Sequence, residues 1–181
     1  IRRDGPRLAF AAPALRRSGP LDEADVALIA RGLGVARDDI VAHAWCDNGP
    51  GWRGVMLRDA QRVLELRPDA GVLSGLFVGV AGPRGKVGVV APREDGECAF
   101  EVRAFFPGHG GITEDPVTGS LNAAMAQWLI GAGLAPDHYV VSQGTALGRA
   151  GRVHVTRDPH APETIWIGGA SVTCIEGQVR L

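Results

Sequence analysis

Residues 120–134 carry a helical pattern with no polar side. Leu121, Ala124, Met125, Trp128 and Leu129 fill one face, and Ala123, Ala126 and Ile130 occupy much of the rest. Gly133 and Pro136 end the run. A helix apolar nearly all round belongs inside a core, so whatever surrounds it must come from the rest of the chain. The rest of the chain reads mainly as strands. Strand-like runs occur at 7–13, 40–45, 52–57, 75–80, 86–91 and 98–106 before the helix, and at 139–142, 151–156, 164–167 and 171–175 after it. Strands on both sides of one buried helix predict an α+β fold: a curved, mostly antiparallel sheet wrapped around a central helix.

Two further helices are expected on the surface. Asp22 followed by Glu23 and Asp25, with Val26, Ile29, Ala30 and Leu33 on one face and Gly34 behind, has start and stop signals. Residues 60–66 form a shorter helix closed by Pro68. The basic stretch 15–20, bearing Pro and Gly, divides the chain into residues 1–20 and a unit at 21–181.

The net charge of −1 gives no footprint for nucleic acid or an anionic membrane, and no apolar run approaches a membrane span. Cys46, Cys98 and Cys174 are widely spaced and odd in number, which predicts free buried thiols and a cytoplasmic protein rather than a disulfide framework or zinc site. His43, His138, His154 and His160 lack ligand spacing. No metal or organic cofactor is expected. Gly82-Pro83-Arg84-Gly85-Lys86 lacks the spacing and the Ser/Thr of a phosphate loop and reads as a hairpin turn.

One stretch points to chemistry: Gly110-Gly111-Ile112-Thr113-Glu114-Asp115-Pro116-Val117-Thr118-Gly119-Ser120, running straight into the buried helix. A helix start offers unpaired N–H groups and the positive end of its dipole. Gly119 permits close approach and Ser120 can donate, so the start can receive a carboxylate or phosphate. Glu114 and Asp115 would repel a bare anion but suit a zwitterion, with its ammonium against Asp115. The plainer alternative is a helix start whose acidic residues serve only the dipole.

Arg103-Ala104-Phe105-Phe106-Pro107 and Gly111 through Ser120 together resemble the signature of the phenazine-biosynthesis-like (PhzF-like) isomerase family, on the diaminopimelate-epimerase fold. Asp47-Asn48-Gly49-Pro50-Gly51-Trp52 resembles that family's turn opening its second lobe. Gln143-Gly144 with Gly148-Arg149, and Ile167-Gly168-Gly169-Ala170, follow in order. The resemblance implies a second lobe at 21–181, with residues 1–20 as the end of a first lobe and its link. It implies substrate contacts at Asp115, Thr118, Gly119 and Ser120, with Asp115 catalytic and Thr118 standing where related epimerases keep a thiol base. Asn48, Gly49 and His109 are further candidates to face substrate. The family's principal acid/base glutamate and a Gly-His pair belong to the first lobe, and no segment here matches either. The expected activity is therefore cofactor-independent proton transfer on a small, amino-acid-like carboxylate, completed by a first lobe in cis or trans. The exposed lobe-facing surface predicts a homodimer or a partner lobe. Alternatives are a metabolite-binding or protein-interaction module and, nearer, a dehydratase on the same fold.

Overall fold

The computed structural model describes residues 1–85 and 98–180. Among them, ten strands join in one open sheet: β1 (Arg2–Asp4), β2 (Arg7–Ala11), β3 (Ile40–Cys46), β4 (Trp52–Leu57), β5 (Phe77–Pro83), β6 (Phe100–Gly108), β7 (Gly111–Asp115), β8 (His138–Gln143), β9 (Gly151–Arg157) and β10 (Ile165–Ala170). Three helices accompany them: α1 (Glu23–Leu33), α2 (Ala60–Glu65) and α3 (Gly119–Gly131). The strand order is β1-β2-β10-β9-β8-β6-β5-β4-β3, with β7 pairing the far half of β6. Only the β4–β5 and β6–β8 pairings are parallel.

Helix α3 is the centre. It contacts β10 near one end of the strand order and β3 and β4 at the other, which requires the sheet to curl around it. Leu121, Met125, Leu129 and Ile130 are buried there against Trp52, Phe100, Val141, Val155 and Ile167. Each such large side chain contributes about 1.5–3 kcal/mol of burial. Strands β4 and β5 are covered on both faces, as parallel neighbours usually are. Gly79 and Ala81 meet α3 while Val78 and Val80 turn to a second core under α1 and α2. The expected α+β class and the wrapped central helix are therefore what the chain adopts.

The signals read for α1 act as anticipated. Asp22 accepts the Asp25 N–H at 2.8 Å, and Gly34 closes the helix at φ 70°. Residues 15–20 run alongside β3, where the Arg16 N–H reaches Asp47 O at 2.6 Å and the Trp45 N–H reaches Gly19 O at 2.8 Å.

Several expectations need correction. Residues 171–175 are strand-like in composition but form no strand, and the segment 171–180 is exposed. The last pair of β10 is Ala170 with Arg7, after which the chain of β2 has already turned at Gly5 toward β1, so no facing strand remains. Residues 111–115, which are not among the expected strands, are strand β7, because Gly110 and Gly111 at φ 91° and 127° fold the chain back onto β6. Cys174 is exposed, whereas Cys46 and Cys98 are buried as expected. Gly82 and Pro83 belong to β5. The far side of that turn and the strand expected at 86–91 lie outside the described residues.

Candidate active site at the start of the central helix

Strand β7 delivers the site. Its pairing with β6 sets Glu114 opposite Phe105 and Asp115 opposite Ala104. Successive strand residues face opposite ways, so the two carboxylates part company. Glu114 lies on the outer face, where Arg103 grips it with Nε at 2.9 Å and Nη2 at 2.7 Å. The same guanidinium donates to Val63 O and Leu66 O at the end of α2. Glu114 is thus a structural partner, and the expectation of two carboxylates side by side at the site is corrected: Asp115 alone faces α3.

Asp115, Thr118, Gly119 and Ser120 come together at the first turn of α3. Thr118 is the N-cap residue, yet its side chain caps nothing. Its hydroxyl is 2.8 Å from Asp115 Oδ2 and 2.9 Å from Gln143 Nε2. The first intrahelical bond is Asn122 N–H to Thr118 O. The N–H groups of Gly119, Ser120 and Leu121 precede it and have no acceptor in a helix. Gly119 and Ser120 remain partly exposed. The Trp52 indole donates to Ser120 Oγ at 3.0 Å, which leaves the Ser120 hydroxyl proton free to point elsewhere.

Asn48 joins this turn, with Nδ2 donating to Ser120 O at 2.8 Å. Its Oδ1 is buried without a partner among the described residues. Gly49 sits nearby but its N–H is taken by Asp47 Oδ1 at 2.8 Å, as is that of Gly51 at 2.9 Å. His109 is not brought in. It occupies the exposed tip of the β6–β7 hairpin, four strand residues beyond Asp115, or about 13 Å at strand rise.

Beneath the cap lies a buried amide pair. Gln143 Oε1 accepts the Thr118 N–H at 3.1 Å and Asn122 Nδ2 at 2.7 Å, while Gln143 Nε2 donates to Asp115 O at 2.9 Å. Asn122 was not singled out by pattern, although an Asn in a largely apolar helix, four residues from Thr118, is a readable signal. Trp52, the last residue of the turn at 47–52, reaches the site as well. Its ring also meets Phe77 edge-on at 5.2 Å, and nothing in the sequence announces its indole bond to Ser120.

A groove of about 830 Å³ opens beside the helix start, lined by Leu8, Phe10, Val117, Gly119, Ile167 and others. His154, also on the groove, is held below its ordinary pKa chiefly by burial and secondly by Arg7. Burial pushes the Cys46 thiol up to about 12, so it is no nucleophile. Among the described residues no three His, Cys, Asp or Glu side chains gather as a metal site, and no helix is long and apolar enough to cross a membrane.

A half-open α+β lobe around a buried helix, with an uncapped start beside one carboxylate, is the class this geometry defines. Comparison with known proteins names it: the chain belongs to the phenazine biosynthesis-like (PhzC-PhzF) family, whose pattern matches residues 6–177. It is 32% identical over 136 residues to Antisense-enhancing sequence 1 of Schizosaccharomyces pombe, covering 73% of this chain and 44% of that protein. It is 44% identical over 85 residues to Uncharacterized isomerase YddE of Escherichia coli K12, covering 42% of this chain and 28% of the relative. The crystal structure of a PhzF-family protein from Bacillus anthracis superposes with a TM-score of 0.65 at 18% identity, over 91% of this chain and 57% of that one. A protein from Pseudomonas aeruginosa described as a predicted epimerase gives 0.61 at 19%, over 91% and 55%. The chain thus spans less than half the length of these curated relatives and somewhat more than half of the solved structures.

Proposed function

We propose that this chain forms one wall of the cleft of an isomerase or epimerase that moves a proton on a small, amino-acid-like carboxylate. The observation that carries the reading is the uncapped start of α3 with Asp115 beside it. The substrate carboxylate would accept from the N–H groups of the partly exposed Gly119 and Ser120 and from the Ser120 hydroxyl. Its ammonium would lie against Asp115. As the proton leaves the α carbon, charge grows on the carboxylate, where the helix start already aims its donors. Asp115 serves as orienter or second acid/base, and Thr118, a hydroxyl donor to Asp115, supplies no thiolate. The scheme calls for no cofactor.

The principal acid/base would be a glutamate of a complementary lobe, supplied in cis or trans and closing over the groove. Half-exposed Leu8 and Val117 on the groove give that lobe an apolar surface to cover. The names of the YddE relatives and of the Pseudomonas neighbour favour this class. The test is solvent-deuterium incorporation into a panel of amino acids and other small carboxylates, using the native protein with all that co-purifies. Exchange at an α carbon supports the reading. Binding without exchange favours a metabolite-binding module instead, and loss of water from the substrate marks a dehydratase.

A further inference from the structure

We propose, resting on the reading of the α3 start as a carboxylate receptor, that Gln143 is a positioning residue that keeps Thr118 from capping its own helix. Threonine is a preferred N-cap because its oxygen accepts an N–H of the first turn. Thr118 stands at that position with extended backbone, φ −111° and ψ 102°, and makes no such bond. Gln143 explains why. The Thr118 N–H is only a donor, so the Gln143 atom 3.1 Å away is its oxygen. Asn122 Nδ2, which also donates to Thr118 O at 2.8 Å, fixes the same orientation.

With its oxygen so placed, the Gln143 NH₂ has two targets, Asp115 O and Thr118 Oγ1, both at 2.9 Å. Thr118 Oγ1 therefore accepts from Gln143 and spends its own proton on Asp115 Oδ2 at 2.8 Å. The hydroxyl is held away from the helix. Gln143 is fully buried, as is Thr118 apart from 6% of its surface, so water does not compete for these bonds. A cap would stabilise the helix but occupy the donors that receive substrate. Gln143 keeps the donors open and, through Thr118, holds the carboxylate of Asp115 in one rotamer.

The test uses acetate as probe, followed by the backbone amide resonances of Gly119, Ser120 and Leu121. In the wild-type chain these amides shift on titration. In Gln143→Leu the freed Thr118 hydroxyl caps the turn and the apparent acetate affinity falls about tenfold. In Gln143→Leu/Thr118→Val no hydroxyl remains to cap, and the response returns. A merely structural Gln143 would not be rescued by a second lesion. An unchanged response in a folded Gln143→Leu chain, or no rescue in the double variant, overturns the proposal. If the wild-type amides ignore acetate, the carboxylate reading itself fails and takes this one with it. Should Gln143→Leu not fold, the Thr118 hydroxyl proton of the wild-type chain decides. A slowly exchanging resonance with a nuclear Overhauser effect to the Asp115 methylene upholds the proposal, and a fast-exchanging one without it overturns it.

Discussion

Glu114 and Asp115 carry the same functional group one peptide bond apart, and the pleat of β7 gives them different work. Glu114 completes a buried ion pair with Arg103, whose side chain is 6% exposed against 11% for the carboxylate. Removing one partner of such a pair costs about 3–5 kcal/mol. Glu114→Gln should therefore lower the midpoint of denaturant unfolding sharply, while Asp115→Asn, which still accepts from Thr118, should leave it nearly unchanged. The thiols divide in the same way by environment. At pH 8 a thiol reagent should label Cys174 alone in the native chain and all three cysteines after unfolding, because Cys46 and Cys98 are buried and the Cys46 thiol titrates only near 12. His154 supplies a pH dependence. Its folded pKa lies below the ordinary 6.5, so folding excludes its proton. Its stabilising contribution is complete above that value and is lost as pH falls through it toward the lowered folded pKa. His154→Gln should narrow the gap between melting temperatures measured at pH 7.5 and pH 5.

Among the elements, the loop from β7 into α3 depends on what lies behind it. Gly144, at φ 88°, presses against Pro116 O so closely that an added Cβ would stand 2.6 Å from it. Gly144→Ala should cost about 1–3 kcal/mol in thermal or denaturant unfolding and loosen the helix start. The buried helix was legible because residues 120–134 carry apolar side chains nearly all round, and the helix start followed from it. The hairpin of β6 and β7 was not legible, since the glycines that make its turn also suit a loop. That misreading placed Glu114 at the site and brought His109 too near it. The amide pair Gln143 and Asn122 was hidden for another reason: its partners meet only when β8 passes under the helix start, 21 residues along the chain.

At the scale of the whole molecule, the sheet is open and a groove lies beside the start of α3. Val172, Ile175 and Val179, in the segment 171–180 that follows β10, are exposed. The fold class was readable from pattern alone. The central claim, that α3 and Asp115 receive a zwitterionic carboxylate, needs no catalysis to be tested. The direct measurement is a titration with alanine and with acetate, followed at the Gly119 and Ser120 amides in the wild-type chain and in Asp115→Asn. The account predicts that both ligands shift these amides, and that Asp115→Asn weakens alanine about tenfold while acetate binds as before or better. Equal effects on the two ligands, or no response at these amides, would contradict it.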